Sequence, residues 1–361
     1  MKIGIVTITW GTNYGNRLQN YAVQELLKGL GHTALTLHRV YDDRDTRKMR
    51  IKQLSSGLYL KQNIFQNARL NLWSREAKFA EFNRKYINFS GNVLEQDEDT
   101  IANEYDAFVC GSDQVWNPHY LGYTDHVFLS FAQPEKRIAF CASIGVDELT
   151  KEQEKGFKRN IKGMASISVR ERSAQVLIKQ LTGRDAVTLV DPTMLISAEQ
   201  WRKIEKKPKM KLPKKYILSY FLGNYDRAAM EETAKRYSCE LIDLPVLGFG
   251  SRWHTIDPAE FLWLIDNCEL MCTDSFHGSV FSILFKKPFY VFERVDRDKP
   301  IGTRIENLLG VFGLEDRRLG AVTELSDRGL ALPDYSLTDG VLETERLRAV
   351  EFLETAFRGV G

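Results

Sequence analysis

Short apolar runs alternate along the chain with stretches whose apolar residues recur at the spacing of an α-helix. This alternation predicts strands joined by amphipathic helices. The predicted strands are residues 2–8, 34–40, 107–112, 137–143, 166–170, 187–190, 216–222, 240–244, 269–273 and 288–293. The predicted helices are residues 17–30, 151–162, 173–181, 227–236, 258–267 and 278–285, with a further amphipathic helix at 344–357. Such a succession is typical of parallel sheets that are covered by helices on both faces.

The alternation is interrupted by a lysine-rich run with three prolines at residues 189–215. After it, "YILSYFLGNYD" repeats the order seen at the N-terminus, which is a strand, a glycine-bearing loop and a helix. We therefore predict an α/β fold of two doubly wound Rossmann-like halves, residues 1–190 and 191–340, with a cleft between them. Residues 341–361 would form a C-terminal helix that packs back on the core. A closed (β/α) barrel is the competing fold, but the sequence shows no eightfold period.

A basic segment at about residues 44–85 departs from this pattern. It is helical in composition, and aromatic residues such as Trp73 and Phe79 are interleaved with its lysines and arginines. One interpretation is a solvated helical excursion. The other is a surface that faces an anionic acceptor or a membrane.

Composition narrows the class of protein. The chain has 361 residues, of which 43% are hydrophobic, enough for two domains with ordinary cores. A net charge of +2 gives no reason to expect a nucleic-acid partner. No apolar run is long enough to cross a bilayer, and "MKIGIVTITW" lacks the pattern of a secretory signal. The five cysteines lie mostly in apolar runs, so we expect reduced core thiols in a cytoplasmic protein that binds no metal.

The first candidate site is the loop "GTNYGN", which follows the first strand and leads into a helix. Ligands of open α/β sheets gather at such strand ends, where the unpaired N–H groups of a helix N-terminus favour an anion. The loop matches neither the dinucleotide fingerprint nor a P-loop. Asn13, Gly15 and Asn16 are the candidate binding residues, and a plain turn is the alternative.

Two further stretches end predicted strands with polar residues. In "FVCGSDQVWNP", Ser112 and Asp113 suit a polar cleft and Trp116 offers a flat surface, although helix capping and core packing explain the same residues. In "ISVRERS", Arg170 follows an apolar strand, and its guanidinium is suited to forked contact with carboxylate or phosphate. The alternative for Arg170 is a structural pair with Glu171 or with Asp191, whose "DPT" context is typical of a domain junction.

The fourth stretch, "TDSFHGS", also joins a strand to a helix. Asp274 ends the strand, Ser275 can cap the helix, and His277 falls in the first turn. Gly278 and Ser279 leave the backbone open to close approach. A histidine in this setting is either a satisfied structural residue or an acid that contacts phosphate, and the small neighbours favour the second.

Taken in order, "NYGNRLQNYA", "GSDQVWNP", "SVRERS", "DPT" and "TDSFHG" resemble the polysaccharide pyruvyl transferase family, over Met1 to about Gly313. The resemblance implies a fold similar to GT-B glycosyltransferases with the active site in the interdomain cleft. It implies phosphoenolpyruvate as donor, and a sugar of a cell-surface polysaccharide as acceptor. It also implies that His277 matches the proposed catalytic histidine and that Arg170 matches an arginine that holds the donor.

The chain departs from the family pattern at two positions. Some members carry aspartate where this chain has Asn16, so we assign Asn16 to binding and not to base catalysis. Some members carry arginine where this chain has Ser275. The donor phosphate then needs another partner, for which Arg304 in "GTRIENLLG" is the candidate.

Forming a pyruvate ketal requires an acid near the enol carbon, a base for the sugar hydroxyls, and cations around the carboxylate and phosphate. No cofactor is needed. The candidate residues are, for catalysis, His277, Asp113 and Asp274; for donor binding, Arg170, Ser275, Gly278, Ser279, Arg304, Asn13, Gly15 and Asn16; and for acceptor binding, Ser112 and Trp116.

Two other functions fit the same architecture. A glycosyltransferase would bind a nucleotide-sugar donor and need a carboxylate that activates the acceptor. A polysaccharide-binding protein would keep the aromatic surfaces but need neither Arg170 nor His277. If the acceptor is a lipid-linked saccharide, we expect peripheral contact with the inner face of the membrane.

Overall fold

The structure is a computed structural model that describes residues 1–38, 62–92, 98–120, 122–146, 148–244, 251–293 and 302–360. Most of the first half of the predicted basic segment, residues 44–61, lies outside the described residues.

The N-terminal half is built on one parallel sheet. Its strands in the described residues are β1 (Lys2–Val6), β2 (Thr33–His38), β3 (Phe89–Asn92), β4 (Ala107–Cys110), β5 (Arg137–Ala142), β6 (Ser166–Val169) and β7 (Val187–Thr188). Their spatial order is β3-β2-β1-β4-β5-β6-β7, and all neighbours are parallel. The first six positions follow the order of the Rossmann fold, which places the topological switch point between β1 and β4.

The C-terminal half has a smaller parallel sheet. Its strands in the described residues are β8 (Tyr216–Tyr220), β9 (Glu240–Asp243), β10 (Leu270–Thr273), β11 (Phe289–Phe292) and β12 (Arg318–Leu319). The spatial order β12-β11-β10-β8-β9 is the flavodoxin-like order read from the other edge, so the switch point lies between β8 and β10.

Helices cover both sheets. They are α1 (Tyr14–Gly29), α2 (Gln62–Tyr86), α3 (Glu98–Glu104), α4 (Lys151–Lys162), α5 (Arg172–Thr182), α6 (Ala198–Arg202), α7 (Arg227–Arg236), α8 (Pro258–Asp266), α9 (Phe276–Leu284), α10 (Gly302–Phe312) and α11 (Thr338–Arg358). Two N-caps bear on the site: the side chain of Asn13 accepts a bond from Asn16 N at the start of α1, and that of Ser275 accepts one from Gly278 N at the start of α9. In the described part of the chain, no helix is long and apolar enough to span a membrane.

The prediction of two parallel α/β halves is confirmed, and each predicted strand is present. The short strands β3 and β12 were not predicted. Helix α1 begins three residues earlier than its apolar pattern indicates, because Asn13 caps a first turn that contains Gly15 and Asn16. The boundaries at residues 190 and 340 remain predictions.

The second part of the basic segment fastens the halves to each other. Arg75 of α2 is buried, and its guanidinium donates to Thr12 O (3.0 Å), Tyr14 Oη (3.0 Å) and His254 O (2.7 Å). Phe79 is also buried, and Lys78 Nζ lies 2.9 Å from a carboxylate oxygen of Glu260 in α8. The inner face of the described part of α2 is therefore packed against both halves, and only its outer face fits the interpretation as a solvated excursion.

Helix α11 returns to the N-terminal half. Its Arg348 donates to Thr188 O at 2.9 Å, and Phe352 stacks on Phe140 with ring centroids 6.3 Å apart. The two halves thus meet along α1 and α8, where Tyr14 stacks on Phe261 at 4.2 Å, and again along α11.

Candidate active site

A cavity of about 540 Å³ lies where the two switch points face each other. The loops after β1 and β4 supply its N-terminal wall, and the loops after β8 and β10 supply the opposite wall. The carboxyl ends of parallel strands at a switch point are the usual ligand site of such sheets. The lining residues are Asn13, Asp113, Gln114, Asn117, His119, Tyr120, Gly145, Val146, Leu222, Asp274, Ser275, Phe276, His277 and Arg304.

His277 lies in the first turn of α9 and contacts the first turn of α1. A Cβ atom at position 15 would lie only 2.0 Å from His277 Nδ1, so Gly15 is required for the ring to occupy this place. The two helix N-termini therefore converge on the cavity, which favours an anion there. His277 Nε2 is buried and has no hydrogen-bond partner among the described residues.

Asp191, which the sequence assigned only to a domain junction or to a pair with Arg170, is the buried centre of the site. Its Oδ2 accepts bonds from Ser112 Oγ (3.0 Å) and Arg170 Nη1 (2.7 Å), and lies 3.7 Å from His277 Nε2. Its Oδ1 accepts bonds from the Thr193 N–H (3.0 Å) and hydroxyl (2.6 Å). Burial alone would raise the pKa of Asp191, but His277, Arg170 and Thr193 hold that pKa well below its usual range.

Arg170 is buried and paired with two carboxylates. Besides its bond to Asp191, its Nη2 lies 3.6 Å from Asp113 Oδ1, and its guanidinium lies 4.4 Å from the centre of the Phe276 ring. Burial lowers the pKa of Arg170, but Asp191 and Asp113 outweigh it, so the pKa is raised and the side chain stays charged. Arg170 lines a neighbouring cavity of about 280 Å³ and is absent from the lining of the larger one. Its direct contacts favour a role in positioning Asp191.

Arg304 lines both cavities. The carboxamide oxygen of Gln114, turned toward the guanidinium, lies 2.6 and 2.7 Å from its two terminal nitrogens. Burial and the charge of Arg170 lower the pKa of Arg304 to about 10. Among the described residues, no carboxylate lies within salt-bridge distance of Arg304, whose guanidinium reaches the cavity.

The assignment of Ser112 and Trp116 to acceptor binding is wrong, since both are completely buried. The Ser112 hydroxyl donates a hydrogen bond to Asp191 Oδ2. The Trp116 ring stacks on Phe128 with centroids 5.2 Å apart, and its indole N–H donates to Val127 O at 3.2 Å. Trp116 is therefore a core residue.

Close approach of a donor to the backbone of Gly278 and Ser279 stays a prediction, and neither residue lines the cavity. Ser279 is fully buried, and its hydroxyl donates to Ser275 O at 3.1 Å within α9. Gly278 faces β10, where a Cβ atom would lie 2.7 Å from Thr273 Oγ1. Both residues bring α9 close to its strand. Ser275 caps α9 and lines the cavity, so its assignment to donor binding stays a prediction.

The two candidate carboxylates, Asp274 and Asp113, differ in how many of their oxygen atoms accept backbone hydrogen bonds. Both carboxylate oxygens of Asp274 accept backbone bonds, from Leu222 N (2.7 Å) and Gly223 N (2.8 Å), which gives Asp274 a structural role in holding the cavity wall. Asp113 lines the cavity with one oxygen bonded to Gln114 N at 2.8 Å, and it remains the candidate base.

The arrangement combines an imidazole with a buried carboxylate behind it, an arginine at the cavity and two helix N-termini. Together these groups can bind an anion and transfer a proton next to it. Within the described residues, no group of three histidine, cysteine, aspartate or glutamate side chains is placed to hold a metal ion.

Several solved structures are similar in overall arrangement. The UDP-GlcNAc 2-epimerase from Neisseria meningitidis, solved with UDP-GlcNAc, is 12% identical with a TM-score of 0.49, and the match covers 96% of this chain and 93% of that one. The UDP-GlcNAc 2-epimerase from Methanocaldococcus jannaschii is 13% identical with a TM-score of 0.48, over 97% and 92% of the two chains. A glycosyltransferase from Rickettsia africae is 12% identical with a TM-score of 0.45, over 99% and 96%.

No curated protein sequence matches the chain significantly. The model of the polysaccharide pyruvyl transferase family matches residues 13–296, a span that includes Arg170, Asp191 and His277. This match covers most of the chain and confirms the resemblance carried by the five sequence motifs. The chain belongs to the polysaccharide pyruvyl transferase family.

Proposed function

We propose that the protein transfers the enolpyruvyl group of phosphoenolpyruvate to a sugar of a cell-surface polysaccharide or of its lipid-linked precursor, forming a pyruvate ketal and releasing phosphate. The family is one of transferases that modify polysaccharides. The observation that carries the choice of donor is the placement of His277 at the same cavity as Arg304 and the N-termini of α1 and α9.

The donor has two anionic ends, a phosphate and a carboxylate. Arg304 would bind one of them with its guanidinium, and the N–H groups at the start of α9 would bind the other. Arg170 cannot offer a full unit of charge, because Asp191 and Asp113 neutralise it. Arg170 would instead position Asp191 behind the His277 ring.

The chemistry balances without a further reactant. A proton is added to the methylene carbon of the donor, and the first sugar hydroxyl adds to the central carbon. The bond from that carbon to the phosphate oxygen breaks, and the second hydroxyl closes the ketal. The two hydroxyl protons balance the one gained by the methyl group and the one carried away by hydrogen phosphate.

His277 would transfer these protons. Asp191 Oδ2 lies 3.7 Å from Nε2 and would orient the ring for this transfer. Gly15, which has no side chain, leaves room for the other side of the ring against α1. Asp113 would accept a proton from a sugar hydroxyl.

The acceptor and the location follow from the same proposal. A lipid-linked acceptor would be met at the inner face of the membrane by a cytoplasmic protein. The basic surface of α2 that is not buried against α8 would then face the membrane.

The test is donor binding followed by product detection. Phosphoenolpyruvate at a hundred times its Kd should stabilise the fold by about 2.7 kcal/mol, whereas UDP- and GDP-sugars should not. At the same donor concentration, Arg304→Gln should reduce this stabilisation to about 0.4–1.4 kcal/mol, and Arg358→Gln, at the end of α11, should keep it in full. Phosphate release together with a pyruvate-sized mass gain on a saccharide acceptor would establish the reaction. Stabilisation by a nucleotide-sugar and not by phosphoenolpyruvate would refute it in favour of a glycosyltransferase.

A further inference from the structure

The described part of the chain exposes nine large apolar side chains, and two of them are aromatic. These two, Trp10 (40% exposed) and Tyr120 (37% exposed), are neighbours in space. Their ring centroids lie 6.1 Å apart, and the ring planes meet at 77°. A single exposed aromatic residue needs no explanation, but two in contact beside a cavity are a candidate binding surface.

The pair stands at the edge of the candidate active site. Trp10 follows β1 and Tyr120 follows β4, so both lie at the N-terminal switch point. Trp10, Tyr120 and Gln114 line a small cavity of about 40 Å³, and Tyr120 and Gln114 also line the 540 Å³ cavity that holds His277. The Trp10–Tyr120 pair therefore adjoins the cavity in which the reaction would occur.

The angle between the Trp10 and Tyr120 rings favours one class of ligand over another. A planar nucleobase is best held between parallel rings, and these rings are nearly perpendicular. A pyranose ring presents C–H groups on its face and hydroxyl groups around its edge. It can lie against one ring, touch the second with its edge, and leave its hydroxyls for polar neighbours. Such neighbours are present, since Asn117 and His119 line the adjoining part of the larger cavity.

We propose that Trp10 and Tyr120 form a saccharide subsite, which holds the pyranose ring next to the acceptor sugar that receives the pyruvyl group. The statement that this pyranose ring belongs to the acceptor rests on the proposed function, whereas saccharide binding by the two aromatic residues does not. Trp10 and Tyr120 take the place of Trp116, which the sequence analysis had assigned to the acceptor. They determine how the acceptor is held, and they take no part in proton transfer.

Saturation-transfer NMR tests the subsite without requiring turnover. The probes are methyl β-D-glucopyranoside, methyl β-D-galactopyranoside, cellobiose and lactose. We expect the C–H protons of one ring face to receive saturation from the protein. Trp10→Ala should raise the Kd of the disaccharides about tenfold, which corresponds to about 1.4 kcal/mol. Trp10→Phe keeps a flat ring and should restore most of the affinity.

Leu347→Ala is the matched control, because Leu347 is an apolar residue on the outer face of α11 that is even more exposed than Trp10. It should leave every signal unchanged. Thermal unfolding of each variant checks the fold, which truncation of a side chain as exposed as Trp10 should not disturb. Equal saccharide binding by the Trp10→Ala and Leu347→Ala variants would overturn the proposal, and so would the absence of any Trp10-dependent signal at the solubility limit of all four probes.

Phosphoenolpyruvate binding is measured in the same variants, so that a failure of the saccharide subsite can be distinguished from a failure of the proposed donor. Trp10-dependent saccharide binding without any response to phosphoenolpyruvate would leave the subsite standing and remove the donor. If phosphoenolpyruvate binds and saccharide binding does not depend on Trp10, the donor would be supported and the subsite would be refuted.

Discussion

Replacing Gly15 with alanine adds one methyl group at the point where α1 touches the catalytic candidate. The new Cβ would lie 2.0 Å from His277 Nδ1, 2.4 Å from Cε1 and 2.7 Å from Cγ. Because Cγ itself is too close, turning the ring about its own axis does not relieve the contact. The whole side chain must move away from α1.

The size of the displacement follows from these distances. The Nδ1 atom must retreat by about 1.4 Å to reach the 3.4 Å of an ordinary contact. A misplacement of about 1 Å in a reacting group costs about 100-fold in rate, so we expect Gly15→Ala to lower kcat by at least that factor. Overpacking costs typically about 1–3 kcal/mol, and the better helix propensity of alanine recovers up to about 1 kcal/mol, so the fold should survive.

The same helix supplies the control. Gly29 ends α1, and a methyl group added to it would have no neighbouring atom within 4 Å, so this position can accept alanine freely. Phosphate release at saturating phosphoenolpyruvate and acceptor gives kcat for both variants, and urea unfolding gives their stabilities. Parental turnover in a folded Gly15→Ala variant would show that the position of the His277 ring does not matter for the reaction.

Three further predictions concern the charged groups of the site. His277→Gln should bind phosphoenolpyruvate within about tenfold of the parent, measured by thermal shift, and lose about two to four orders of magnitude in turnover because glutamine cannot transfer a proton; parental turnover would limit His277 to binding. Arg304→Gln should raise the Kd of phosphoenolpyruvate by about ten- to a hundredfold by calorimetry through the loss of charge-assisted bonds, and an unchanged Kd would remove Arg304 from the donor site. The lowered pKa of Asp191 stabilises the fold above the unfolded-state pKa of about 3.9, and this contribution disappears as the pH falls through the folded-state pKa. Asp191→Asn should therefore be less stable than the parent by about 3–5 kcal/mol at neutral pH, and the difference should shrink toward about pH 3 in urea unfolding; a difference independent of pH would contradict this assignment.

The sequence predicted the features that local patterns determine. Apolar runs of four to seven residues located the strands, and small polar residues at strand ends located the loops that line the cavity. His277 was found because a cap residue, a histidine and two small residues in succession have a recognisable local geometry. These signals depend only on neighbours along the chain.

What the sequence could not predict depends on contacts between distant residues. Asp191 lies 21 residues after Arg170 and far before His277, and only the folded chain shows that it contacts both. Trp116 has the local setting of a cleft residue, yet its loop folds back so that Phe128 and Phe157 cover it. Trp10, in an apolar run, remains exposed. The residues that flank the two tryptophans do not indicate which side chain is buried and which is exposed.

The three bonds of Arg75 also constrain how the molecule can move. They tie Thr12 and Tyr14 on one side of the cleft to His254 on the other. A motion that parted the halves at this edge would leave a buried guanidinium without its acceptors, at a cost of several kcal/mol. Rotation about an axis through Arg75 leaves these bonds intact. Any opening of the cleft that keeps these three bonds is therefore restricted to rotation about an axis near Arg75.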